Sequence, residues 1–161
     1  MWVALMTGLP ASLRPPLEHM SSPERIRIEL ALRHRAGSDS DASATAHAVV
    51  ALWGEIDRAL LPIIGAAGVT ALYGRSLFLA GHAHPWLSVW QQRSAASVDL
   101  KLLQSSVAAQ IPSDAFAGAC TFFVTFHDLL ASMVGAALTE RLLHSVWEFP
   151  TGGDPAQEPL Q

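Results

Sequence analysis

Apolar residues recur at helical spacing from about Thr45 onward. Val49, Val50, Trp53, Ile56, Leu60 and Ile64 follow the i, i+3, i+4, i+7 rule, with Glu55, Asp57 and Arg58 largely off that stripe. Ser43 or Thr45 supplies an N-cap, and Pro62 is expected to kink or end the helix. A second helix, roughly Ala67 to Ala80, carries Val69, Leu72, Tyr73 and Leu77 and closes at Gly81. A turn-rich connector follows, with Pro85 placed to open a short helical turn through Trp90. The third helix, about Ala95 to Gln110, lines up Leu100, Leu103, Val107 and Ile111. Pro112 breaks the chain and Ser113 caps the last helix, expected to run from Asp114 to about Trp147, or about 50 Å if unbroken.

The N-terminal quarter reads differently. Arg25 to Arg33 alternates apolar and polar residues, the period of a strand, but a single strand has no partner here, and Glu, Leu, Ala and Arg favour a short helix. Prolines precede this stretch and a Gly/Ser/Asp run, 36–42, follows it as a linker. Met20 offers an internal start that would leave residues 1–19 untranslated. The expected organisation is therefore a flexible N-terminal arm and linker (1–42), a helical bundle domain (43–148) and a disordered tail (149–161). The fold class is all-α, an antiparallel four-helix bundle with a long C-terminal helix.

Composition narrows function mainly by exclusion. Half of the 161 residues are hydrophobic and only 15% are charged, against about 25% in ordinary soluble domains. With 10 basic and 14 acidic residues, a net charge of −4 and Lys101 as the only lysine, the chain lacks the positive stripe that nucleic acid requires. No partner nucleic acid is expected. The lone cysteine, Cys120, forms no intrachain disulfide, and Met1 to Pro10 lacks the basic start of a signal peptide, so a cytoplasmic location is expected. Ala115 to Thr139 holds one formal charge in 25 residues, but His127 and Asp128 fall at its midpoint. An acidic group there costs about 2.5–3.5 kcal/mol on insertion scales, so no membrane span is expected.

Leu52-Trp53, Leu61-Pro-Ile-Ile-Gly65, the run from Gly68 to Leu77, Pro85-Trp-Leu87 and the run from Gly135 to Trp147 together resemble a group of small helical proteobacterial proteins of unassigned activity. The resemblance covers about Val49 to Trp147. It implies a free-standing helical module loosely associated with bacterial signalling, and it carries no catalytic residues or cofactor.

Two constellations hold the candidate chemistry. His127-Asp128-Leu129 is similar to the phospho-acceptor box of sensor histidine kinases, where the acidic neighbour orients the imidazole. The usual basic residue and the following proline are absent, and His127 lies near the stripe of Phe116, Cys120, Phe123 and Leu130, so a hydrogen-bonded core histidine is the favoured reading. His82 and His84 flank one residue and could share a metal, but the further ligands that zinc requires match no signature, and polar loop residues are the favoured reading. No cofactor is expected.

Shortage of charge on the helices remains. From Ala48 to Trp147 there are 11 charged residues in the hundred, where a monomeric bundle normally charges its outer faces. A second apolar surface suited to a homodimer or a protein partner is the expectation, with Trp53, Tyr73, Arg75, Trp86, Trp90 and Trp147 as ligand-lining or interface residues. The chain reads as a non-enzymatic regulatory or interaction module, with histidine phosphotransfer through His127 and Asp128 as the alternative and a His-rich metal or ligand sensor as the third.

Overall fold

The computed structural model describes residues 23–38, 41–92 and 98–148, with residues 89–92 described by their backbone. Among the described residues all regular structure is helical: α1 (Pro23–Ala36), α2 (Ala42–Ala83), a 3-10 segment (Pro85–Gln92), α3 (Leu100–Ala108), α4 (Pro112–Val134) and α5 (Ala136–Trp147). α2 is the spine, touching every other element, and its largest partner is α4.

Residues 25–33 form the helix, not the strand. Ile28, Ala31 and Leu32 are buried, one helical face, while Ile26 and Leu30 are exposed. The alternating pattern thus splits its four apolar residues between core and solvent. Part of the segment expected to be a flexible arm therefore supplies a core helix. Residues 1–22 and 39–40 of that arm and linker, and the tail 149–161, lie outside the described residues. α1 is pinned to both ends of the fold. Arg35 donates to Glu55 Oε2 of α2 at 2.8 Å and to the Val146 carbonyl of α5 at 3.0 Å. Arg27 forms a two-pronged pair with Glu140 of α5, its Nη2 donating to Oε2 at 3.0 Å. Arg33 lies 4.6 Å over the Phe116 ring of α4.

Asp41, not Ser43 or Thr45, caps α2, its carboxylate accepting from the Ala44 amide at 2.7 Å. Thr45 is instead buried. The helix bends at Gly65 (φ 74, ψ 169) and not at Pro62 itself. Pro62 removes the amide that would bond the Arg58 carbonyl, and the chain absorbs the disturbance three residues on, at the one residue able to take that conformation cheaply. α2 also runs past Gly81, because that glycine serves close packing: a Cβ there would sit 3.2 Å from the backbone of Ser88. It ends at His84, just before Pro85, which opens the 3-10 segment as expected.

α3 is capped by Asp99 and buries Leu103 and Val107; it stops at Ala108, which leaves Ile111 exposed instead of continuing the stripe. Residues 93–97, the expected start of that helix, lie outside the described residues. α4 begins with Pro112 at its first position and has no side-chain cap, so Ser113 does not serve as one. The single long helix expected from Asp114 to Trp147 is two helices, divided at Gly135 (φ 93, ψ 151). Alanines and leucines on both sides sustain the helical pattern and mask this break in the sequence.

The core is aromatic at its centre. Trp53 meets Tyr73 at 4.9 Å and Phe126 at 5.2 Å between ring centroids, both edge-on, and Phe122 at 5.8 Å. Phe123 extends the cluster to Trp147 of α5 at 6.3 Å. α2 and α4 are each long and apolar enough to cross a membrane by length and composition, with the same mean hydropathy of 1.4.

Candidate functional site

His127 sits on the inner side of α4, 7% exposed, while Asp128, one residue on, points outward. Helical geometry separates neighbouring side chains by about 100°, so the pair that looks like a catalytic unit in sequence is divided between core and solvent. His127 Nδ1 lies 3.8 Å from Asp128 Oδ1, beyond hydrogen-bond range, and has no hydrogen-bond partner among the described residues. The expected hydrogen-bonded core histidine is half right: the ring is in the core, but its Nδ1 is unsatisfied. Orientation of the imidazole by Asp128, and approach of a phosphoryl group from solvent, both lack their geometry here.

The two connector histidines turn apart. His82 Nδ1 bonds the Phe78 carbonyl of its own helix at 3.1 Å. His84 Nε2 bonds Thr121 Oγ1 of α4 at 3.1 Å, and that hydroxyl donates its own proton to the Ala117 carbonyl at 2.9 Å. His84 must therefore be the donor, which fixes the proton on Nε2. Burial lowers the pKa of His84, with Asp114 opposing the shift. Its role is to tie the end of α2 to α4. Among the described residues no three His, Cys, Asp or Glu side chains gather as a metal-holding group. Cys120 is buried and its thiol is pushed up to about 12 by desolvation, with Glu29 adding to the shift; at neutral pH it is an unreactive packing group.

The aromatic anchors are distributed differently from expectation. Trp53, Tyr73 and Trp147 are buried in the core, where large rings gain most, and present no surface to a partner. Trp86 is half-buried and packs against α4 at Gly118, where a Cβ would come within 2.2 Å of its ring. The Trp90 side chain lies outside the described residues. Arg75 is exposed, its guanidinium 5.2 Å over the Phe78 ring.

Exposed large apolar side chains occur on α1 (Ile26, Leu30), at Ile111, on either side of Gly135 (Met133, Leu138) and along the outer side of α2. From Leu61 to Ala67 every side chain is apolar or glycine, and all but Ile64 are exposed, Ile63 to 55%. Beyond the bend, Val69, Leu72, Tyr73, Leu77 and Ala80 turn into the core, and Ala67, Ala71, Gly74 and Phe78 form the opposite, exposed face. Arg75 is the sole charged residue between Arg58 and His82. Its guanidinium covers part of Phe78, so even that charge is laid along the apolar surface. Low charge along this stretch is the signal available in the sequence, whereas Trp53, Tyr73 and Trp147 are buried elsewhere.

An open groove of about 650 Å³ lies between α2 and α5 and is lined by Ala51, Glu55, Arg58, Ala59, Ser145 and Val146. Glu55 in its wall is already held by Arg35. The groove contains none of the candidate histidines or tryptophans.

No protein-family model matches the chain, and no curated protein or solved structure matches it.

Proposed function

We propose that this chain is a non-enzymatic interaction module whose working surface is the outer face of α2, from Leu61 to Phe78. The observation that carries this reading is the set of exposed apolar side chains, Leu61 and Ile63 before the bend at Gly65 and Phe78 beyond it, along a stretch with a single charge. Contiguous apolar surface of this kind marks binding sites in folded proteins. The remainder of the molecule acts as scaffold: an antiparallel bundle in our reading, supported by the short 109–111 link between α3 and α4 and by the packing of both on α2. A role in bacterial signalling and a cytoplasmic setting are consistent with this proposal and rest on sequence character alone. Phosphotransfer through His127 is the weaker reading, because the imidazole is buried and unaligned with Asp128.

The test is affinity capture from the organism's own lysate with the wild-type chain and with an Ile63→Asp/Phe78→Asp double variant. Both positions are exposed, so the variant should keep its helical content and melting temperature. A captured species, self or other, that is lost with the double variant supports the proposal. Equal capture by both chains would refute it.

A further inference from the structure

Resting on that reading, we propose that the outer α2 surface is a membrane-docking corner: Leu61 and Ile63, at the fold-back of the helix, enter the surface of an anionic phospholipid bilayer, and Arg58 and Arg75 bind its headgroups.

The geometry starts from Gly65. On a straight helix Trp53 and Tyr73 would lie about 30 Å apart, yet their rings meet edge-on at 4.9 Å. The break at Gly65 (φ 74, ψ 169) therefore folds α2 back into two arms that meet at this aromatic pair. Residues 61–67 are the turn between the arms. Side chains of a helix lying on a core face inward and outward in alternation. Here Leu61, Pro62, Ile63, Gly65, Ala66 and Ala67 are exposed whichever way they point, and only Ile64 turns partly back to the core. The apolar surface is thus a projecting corner and not one side of a rod, with Ile63 55% and Leu61 43% exposed.

Shape and charge select the occupant. A protein partner would have to supply a socket matched to this projection, whereas a fluid bilayer parts around it and takes apolar groups about 5–10 Å into its headgroup and acyl boundary. Arg58 precedes Gly65 by seven residues and Arg75 follows it by ten, which sets them about 10 and 15 Å up the two arms. Their long side chains reach phosphates when the corner is at that depth. Both are exposed, and Arg58 has no ion-pair partner among the described residues. Glu55, one turn away, is already taken by Arg35 at 2.8 Å. Between Asp57 and Asp99 the sequence has no acidic residue, while Arg58, Arg75 and Arg93 fall within that stretch, in a chain of net charge −4. The corner therefore belongs to the longest acid-free stretch of the chain, the part that a negatively charged lipid surface repels least.

The experiment is co-sedimentation of the full chain with phosphatidylcholine vesicles, with and without phosphatidylserine. The wild type should bind the mixed vesicles more tightly than the neutral ones, by roughly fivefold for each arginine near the surface. Arg58→Ala and Arg75→Ala should each lose roughly that factor. Ile63→Asp and Leu61→Asp should abolish binding while keeping helical content and melting temperature, because both positions are exposed. Phe78→Ser, about 20 Å up its arm, should leave vesicle binding within about twofold of wild type. An environment-sensitive fluorophore on Ala66→Cys should shift to the blue with mixed vesicles, and the same label on Ser43→Cys, about 33 Å from the corner, should not. Buried Cys120 takes up no label. A wild type that does not sediment with the mixed vesicles, an Ile63→Asp chain that sediments equally well, or equal binding to neutral vesicles would overturn the proposal. Absent vesicle binding, combined with lysate capture that is lost in the Ile63/Phe78 double variant, would defeat the lipid partner and leave the interaction face standing as a protein surface. Indifference of both measurements to the face would defeat both.

Discussion

α4 and the second half of α2 are built from similar residues and each buries one face, yet they present different faces to solvent. Both belong to helices with a mean hydropathy of 1.4 over their most apolar stretch. α4 buries side chains from Ala115 to Leu130 with neighbours in α1, α2, α3 and α5 around it. α2 beyond Gly65 buries one face and leaves Ala67, Ala71, Gly74 and Phe78 to solvent. Composition cannot distinguish these cases. Position relative to the other elements does, because the side of a helix that meets a neighbour is buried and the side that meets none stays in solvent.

Paired substitutions probe this contrast most directly. Phe126→Ala removes a ring packed edge-on against Trp53 and should cost about 3–5 kcal/mol, measured by urea unfolding. The matching Phe78→Ala on α2, whose ring is 37% exposed and contacts Arg75 and His82, should cost less, about 1 kcal/mol. Comparable losses at both sites would mean that the α2 face is covered in the folded monomer.

Glycines sharpen the same comparison at the next level. Gly118→Ala on α4 drives a methyl into the Trp86 ring and should destabilise by about 1–3 kcal/mol. Gly74→Ala on α2, with open space around it, should stabilise by about 0.5–1 kcal/mol through helix propensity. Thermal melts at low protein concentration read both. Gly65→Ala and Gly135→Ala, each forcing a side chain into a positive-φ, extended-ψ backbone, should each cost about 1–3 kcal/mol.

The smallest effects concern charge. Arg27 holds the Glu140 carboxyl below its usual range, first through their hydrogen bond. A depressed carboxylate pKa stabilises the fold above the unfolded value, and the benefit is lost as pH falls through the folded value, so it fades below about pH 4.5. The pair is more than a third exposed, so Arg27→Ala should cost only about 0.2–1 kcal/mol at neutral pH and less in acid. Burial lowers the His84 pKa; the unfolded chain therefore binds that proton more readily, and stability should decline as pH drops below about 6.5. In His84→Gln that decline between pH 7 and 5.5 should shrink, as read from melting temperature against pH.

Much of the helical scaffold is legible in the residue pattern. Val49, Trp53, Ile56 and Leu60 are buried as their spacing predicts, and the turn opened by Pro85 is present. The breaks were displaced because proline disturbs a helix without fixing where the chain relieves the disturbance; Gly65 and Gly135 do that, and a glycine inside an apolar run gives no local sign of its dihedral angles. α1 was misplaced in the outer arm because its burial depends on Arg27 and Arg35 reaching α5, contacts separated by 113 and 111 residues. Scarcity of charge pointed to an uncovered surface, but the tryptophans chosen to anchor it have the most area to gain from the core and are largely consumed there. A His-Asp pair, likewise, cannot be judged until the helix phase is known, since adjacent residues face different ways.

The attachment of α1 to α5 has a consequence for synthesis. α1 leaves the ribosome well before its acceptors, since the carboxylate of Glu140 and the carbonyl of Val146 that receive its arginines follow 113 and 111 residues later. Closing so long a loop is among the slower steps available to a helical protein. Until then the contacts that tie α1 to α5 cannot form, and α1 is fixed in place only when α5 arrives.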